Sequence, residues 1–392
     1  MSNTQKKNVP ELRFPGFEGE WEEKKLESII KVNSGKDYKH LDKGDIPVYG
    51  TGGYMTSVSE PLSEIDAVGI GRKGTINKPY LLEAPFWTVD TLFYCTPKKE
   101  TDILFILSLF RKINWKVYDE STGVPSLSKQ TINKINRFVP TNKEQQKIGK
   151  FFSKLDRQIE LQEQKLELLQ QQKKGYMQKI FSQELRFKDE NGNDYPEWEN
   201  VMLQKVLKDK TEGIKRGPFG GALKKDIFVE SGYAVYEQRN AIYDISNFRY
   251  YINENKYKEM QSFSVQPNDI IMSCSGTIGR LALIPHNYTK GIINQALIRF
   301  RTNHKIRSEF FLIFMWSNQM QRKILEANPG SAITNLVPVK ELKLIPFPLP
   351  VKFEQDKISQ FIHIINRRIE QSEKKIESLK NRKQGFLQKL FV

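Results

Sequence analysis

The sequence predicts an α+β protein in which two globular α/β-type domains are joined by two long antiparallel coiled-coil helices. The whole is expected to form an internal circular repeat with a pseudo-twofold axis. Three observations carry this reading. Residues 144–181 align without gaps on residues 354–391 at a constant offset of 210, with 17 identities in 38 positions. Both segments show the alternating four- and three-residue apolar spacing of a coiled-coil seam. The stretches between them alternate short apolar runs with turn residues, as strand-and-loop domains do.

The first helix carries its seam on Ile148, Phe152, Leu155, Ile159, Gln162, Leu166, Leu169, Lys173, Tyr176 and Ile180. Adding 210 gives Ile358, Ile362, Ile365, Ile369, Ser372, Ile376, Leu379, Lys383, Phe386 and Leu390. The polar breaks fall at the same two places in each, and polar seam residues commonly fix register. Mutual pairing of the helices therefore explains the pattern better than two helices packing separately. Pro140 and Pro350 stand just before each helix, with Thr141 and Val351 beginning the turn. From Ile148 to Ile180 the rod is roughly 48 Å long at about 1.5 Å per residue.

ELRF occurs at 184–187, directly after the first helix, and again at 11–14, each followed by a tryptophan, Trp198 and Trp21. The N-terminal copy reads as the continuation of the second helix, so that helix, ELRF and globular domain repeat around a closed ring cut between Val392 and Met1. The expected divisions are 1–140 (first globular domain), 141–182 (first helix), 183–350 (second globular domain) and 351–392 (second helix).

Within the heads, strands are predicted at 66–71, 86–95, 269–276 and 294–302, and helices at 103–113 and 308–325. GRKGTIN (71–77) answers SCSGTIGR (273–280), and STGVPSL (121–127) answers NPGSAITNL (328–336). Elsewhere the heads diverge. Two matched rods with two divergent heads suit a reader of two different half-sites, because frame contacts position while base contacts specify.

Composition narrows the function classes. Lys and Arg exceed Asp and Glu by 16, and the pI is near 9.5, which points to a polyanionic partner. Cys95 and Cys274 form no spaced pair, and four scattered histidines offer no metal site. No signal-peptide core or bilayer-length apolar run is seen, so a cytoplasmic protein without a membrane is expected. Gly69, Gly71 and Gly74 spell G-x-G-x-x-G, but Pro79 blocks the helix that a dinucleotide site needs. A P-loop and a G-x-S-x-G nucleophile are both missing from the sequence.

The candidate DNA contacts follow from side-chain chemistry. In the GTI loops, glycines let the backbone approach closely. Around them Arg72, Lys73, Thr75, Ser275, Thr277 and Arg280 supply charge and hydroxyls for phosphate or guanine. In the first head Tyr49, Thr51 and Gly52 form a flexible, hydrogen-bonding loop. In the second, Lys215, Arg216 and Phe219, with Gln238, Arg239 and Asn240, bring the side-chain types that favour G and A edges.

The paired E-Q-x-K-I helices, the KKGYMQKIF and KQGFLQKLF ends, RGPFGGALK and DIIMSCSGTIGR together resemble the specificity (S) subunits of type I restriction-modification systems. They are spread over nearly the whole chain. The resemblance implies two target-recognition domains, each reading one half of an asymmetric bipartite site in double-stranded DNA, with the helices as a ruler for the unread spacer. It implies docking of two methyltransferase (M) subunits and of restriction (R) subunits. The S-adenosylmethionine, ATP and Mg are then expected on those partners, and this chain is expected to be non-catalytic. A stand-alone DNA-binding protein, a self-contained enzyme and a coiled-coil scaffold stay open as alternatives on the residues alone.

Overall fold

The computed structural model describes residues 8–209, 212–325 and 338–392. It divides into two compact units, Met1–Leu166 with Gln371–Val392, and Glu167–Glu370. Each unit contains one head and one half of each long helix. The unit boundaries therefore fall inside the helices and not at their ends.

The helices run over Asn142–Phe181 and Lys352–Lys389, each with a glutamate in its first turn, where the helix dipole favours negative charge. They pair antiparallel inside each unit. In the first unit the Phe151 ring lies 5.0 Å from that of Phe386, Asp156 binds Lys383, and Glu163 meets Lys380 at 2.6 Å. In the second, the Tyr176 ring stands 5.0 Å from that of Phe361.

The seam does more than join helices. Ile148, Phe152 and Leu155 are buried in the core of the first head together with Leu387, Leu390 and Phe391. Ile180, Ile358, Ile362 and Ile365 are buried in the core of the second, with Ile369 packed against it. Ile159, Ile376 and Leu379 are also buried, whereas Leu166 and Leu169 are only half-buried. The seam is expected to pair the helices. Its ends also fasten each head to both helices, because the apolar stripe continues past the partner helix onto the head.

The two heads repeat one topology. In the first, strands Ile30–Ser34, Leu92–Pro97, Ala67–Gly71 and Tyr80–Leu82 form an antiparallel sheet in that order. A second sheet joins Gly53–Val58, Ile46–Gly50 and Trp87–Thr88, the last pair parallel. In the second head the first sheet is Ile214–Arg216, Leu297–Phe300, Ile270–Ser273 and Leu281–Leu283. Its companion is Phe228–Val229, Tyr251–Ile252, Tyr233–Tyr236 and Gly291–Ile293, again with a parallel last pair. A two-stranded ribbon, Glu22–Lys25 with Asn136–Val139 or Glu199–Met202 with Pro346–Leu349, ties the two ends of each head together. The strands Ala67–Gly71 and Ile270–Ser273 are buried at every residue, which is why they read as continuous apolar runs.

Two predicted elements are divided. The run 86–95 contains two strands in different sheets, because Leu92 N–H turns back to Val89 O (3.0 Å). The run 308–325 contains two helices, Ser308–Met315 and Asn318–Ile324. Ser317 is extended between them, and its hydroxyl accepts from Met320 N–H (3.2 Å) as an N-cap. Among the described residues no helix is long and apolar enough to cross a membrane.

Candidate nucleic-acid interface

The expected contact loops lie at one end of the sheets in each head, on a frame in which both heads share three backbone hydrogen bonds. In the first head Val89 N–H donates to Tyr49 O (3.0 Å), Gly35 N–H to Leu92 O (3.1 Å) and Arg72 N–H to Thr91 O (2.8 Å). In the second, Asn294 N–H donates to Tyr236 O (2.9 Å), Gly217 N–H to Leu297 O (2.9 Å) and Cys274 N–H to Ala296 O (2.8 Å). Gly35 and Gly217 are required here. A Cβ on either would stand 2.0 Å from Val89 O or 1.8 Å from Asn294 O. Asn33-Ser34-Gly35-Lys36 is thus the counterpart of Lys215-Arg216-Gly217-Pro218. Sequence reasoning missed it, and with it the exposed Lys36. A lone glycine closing the first sheet strand was the only available signal.

In the first head this frame gathers four loops. Thr51 and Gly52 sit at the tip between Ile46–Gly50 and Gly53–Val58, beside the exposed Tyr54. Tyr49 is half-buried between Tyr54 (6.4 Å) and Tyr80 (6.1 Å), and the Tyr80 hydroxyl donates to Gly50 O (2.6 Å). Arg72 and Lys73 are exposed, with the Arg72 guanidinium 5.8 Å from the Phe93 ring. Gly74 N–H donates to Pro125 O (2.8 Å), so GRKGTIN packs directly on STGVPSL. Thr75, half-buried, follows Gly74, whose φ of +86° suits glycine. Asp119 pins the STGVPSL loop by accepting from Ser126 N–H (2.9 Å) and Ser121 N–H (3.0 Å), and these bonds hold its carboxyl below the usual range.

In the second head the gathering is partial. Gln238 reaches Thr277 O (3.5 Å) and packs against Gly276, where φ is +60°. Ser275, Thr277 and Arg280 are exposed, and the Arg280 guanidinium lies 5.7 Å from the Trp316 ring. Exposed Arg216 stands beside the Cys274 thiol, and Phe219 is 96% exposed. Three candidates are placed differently. Lys215 alternates to the opposite face of its strand, with its ammonium 4.7 Å from the Phe263 ring. Arg239 is half-buried in the helix Gln238–Ile242. Asn240 is buried: it accepts from Glu237 N–H and donates to Asp244 O and Asn247 O, so its amide holds the loop and is closed to a base. NPGSAITNL (328–336), the expected counterpart of STGVPSL, lies outside the described residues.

Behind the loops, the E-Q pair of each long helix proves to be a latch. Glu144 and Glu354 are almost wholly buried. Each accepts a two-pronged bond from the arginine of an ELRF segment, Arg13 to Glu144 (2.8 and 2.7 Å) and Arg186 to Glu354 (2.8 and 2.9 Å). The carboxylates hold both guanidinium groups above their ordinary pKa. Gln145 and Gln355 donate to Pro140 O and Pro350 O, and accept from the N-cap amides Asp102 N–H and Arg307 N–H. The circular repeat is visible in the backbone as well. Leu185 N–H donates to Lys179 O (3.0 Å), and Leu12 N–H makes the equivalent bond to Lys389 O (2.9 Å).

Residues 18–171 and 218–381 match the family model of the type I restriction modification DNA specificity domain. The chain is 24% identical over 349 residues to the type I restriction enzyme MjaVIII specificity subunit of Methanocaldococcus jannaschii, covering 84% of this chain and 76% of that one. The crystal structure of the type I restriction-modification S subunit from M. genitalium shares the fold, with a TM-score of 0.63 at 15% identity over 98% of this chain and 99% of that one. A structure from work on complex assembly and conformational transition of the type I R-M system gives 0.57 at 14%, over 97% and 98%. With one match of the family model across each half of its repeat, the chain belongs to the specificity subunits of type I restriction-modification systems.

Proposed function

We propose that this chain is the DNA-reading subunit of a type I restriction-modification complex and performs no chemistry itself. One head reads each half of an asymmetric bipartite site in double-stranded DNA, in the cytoplasm. The observation that carries this reading is the pair of loop clusters: one hydrogen-bonded frame, used twice, presents different side chains each time. Identical frames bring the loops to equivalent positions on a duplex, and differing side chains then choose different bases. In the first head Tyr49, Thr51, Gly52, Arg72, Lys73, Thr75 and Lys36 are the reading and phosphate-binding groups. In the second they are Arg216, Phe219, Gln238, Ser275, Thr277 and Arg280, with Asn240 and Lys215 in supporting positions.

The long helices act as a ruler for the unread spacer and, with the heads, dock two methyltransferase subunits and the restriction subunits. S-adenosylmethionine, ATP and Mg belong to those partners, and the adenine is flipped into the methyltransferase. The test is methylome sequencing of cells expressing this chain with a compatible methyltransferase subunit, against cells lacking it. A new N6-methyladenine pattern at a split motif is expected. No new pattern, with the complex shown to assemble, would favour a stand-alone DNA-binding protein.

A further inference from the structure

A groove of about 670 Å³ in the second unit lies between the first long helix and the short helix Asn318–Ile324. Lys173 and Lys174 line it from the long helix, Arg322 and Lys323 from the short one, and Met177 and Trp316 also line it. Among its described lining residues there is no carboxylate, and among the described residues Lys173, Lys174, Arg322 and Lys323 form no ion pair. Burial holds the Lys173 ammonium below its ordinary value, and an anion brought beside it would offset that penalty.

The groove adjoins the loop SCSGTIGR. Gln321, on the short helix, donates to Gly279 O (3.2 Å), and Arg280 covers the Trp316 ring on the loop side. Cations are thus present both on the contact loop, at Arg280, and in the groove that adjoins it.

The repeat supplies an internal control. Lys383 occupies the position equivalent to Lys173, and in the first unit it is paired with Asp156, which also binds Arg111. Lys380 nearby is paired with Glu163 (2.6 Å). The position equivalent to Asp156 in the second unit is Asn366. The lysine at this place in the repeat is paired with a carboxylate in one unit and, among the described residues, unpaired in the other.

We infer that this groove is a subsite for the DNA phosphate backbone flanking the half-site read by the second head. The inference rests on the proposed DNA recognition and adds to it a sequence-independent contact that only one half of the molecule makes. Exposed Lys174 and Arg322, with half-buried Lys173 and Lys323, line this groove beside the apolar Trp316 and Met177, a pairing of charge and apolar surface that suits phosphate contacts.

The experiment uses the full chain assembled with its methyltransferase subunits and a duplex carrying the motif found by methylation mapping. Binding is measured against salt for the wild type, for Lys173→Gln/Lys174→Gln/Arg322→Gln/Lys323→Gln together, and for Lys380→Gln. Each phosphate contact contributes about 0.9 to the slope of log affinity against log salt, so the quadruple variant is expected to lower its magnitude by about two to three. The methylated motif should stay unchanged, and Lys380→Gln should have almost no effect. A charge-keeping set, with each Lys→Arg and Arg322→Lys, should restore the slope and so separate charge from folding.

An unchanged slope in the quadruple variant would overturn the subsite. So would an unchanged slope with loss of methyltransferase binding, which would assign the groove to an acidic protein segment. Failure of the wild type to prefer any split motif would instead overturn the reading of the heads.

Discussion

The two heads share three backbone bonds at their contact ends and hold themselves together by different chemistry. In the second head Arg301 is buried against Asp269 through two bonds of 2.8 Å, and its neighbour Arg299 reaches Ser264 O between the sheets. The strand positions of the first head that correspond to Arg299 and Arg301 are Tyr94 and Thr96, and Tyr94 packs edge-on against Phe86 at 5.6 Å. Interiors this different supporting one hydrogen-bonded frame show where the constraint lies. The frame and the helix latch have to be kept in both copies, while core composition and exposed loop residues are free to change. On the proposed reading that freedom is what each head requires, since a new base preference comes from new side chains on an unchanged frame.

The latches give the sharpest difference between otherwise matched parts. Glu354 accepts from Arg186 and also from Trp198 Nε1 (2.8 Å), whereas the indole N–H of the corresponding Trp21 is buried with no partner among the described residues. Glu354→Ala should cost about 3 kcal/mol, since it strands an arginine and an indole around a buried site. Glu144→Ala should cost about 1 kcal/mol less, because only the arginine loses its bond. Denaturant unfolding of each unit's variant reports both, and equal losses would show that the Trp198 bond contributes nothing.

A smaller effect separates the two tryptophans themselves. Trp198→Phe should destabilise by about 1 kcal/mol through its lost hydrogen bond, while Trp21→Phe removes an unsatisfied N–H and should be close to neutral. A clear loss at Trp21→Phe would mean that the indole's shape, packed against Phe105 (6.4 Å) and Phe391 (6.2 Å), matters more than its polarity.

What could be read from the chain alone follows from the range of the interactions. The long helices were legible because seam spacing is local and the repeat states it twice. The ring closure was legible because ELRF recurs beside a tryptophan. The roles of Gln145 and Gln355 were not, since each joins its helix to an N-cap amide more than forty residues away. Nor was the match of Gly35 with Gly217, whose flanking residues share nothing. Residue type alone also could not show where Asn240 and Lys215, two of the three differently placed candidates, would lie. Asn240 has the amide that suits adenine and Lys215 the charge that suits guanine, yet burial closes the first and strand alternation turns the second away. The split of 308–325 at Ser317 was visible in principle as an N-cap serine inside an apolar run.

The measurement that bears most directly on one head reading one half-site is methylation mapping of Arg72→Ala and Gln238→Ala/Arg280→Ala, each expressed with the methyltransferase subunit. Losing a specific base contact is worth about 1–3 kcal/mol of discrimination. Arg72→Ala is therefore predicted to relax one half of the split motif, and Gln238→Ala/Arg280→Ala the other, with the spacer length unchanged in both. Relaxation of both halves by either variant, or of the same half by both, would contradict the account.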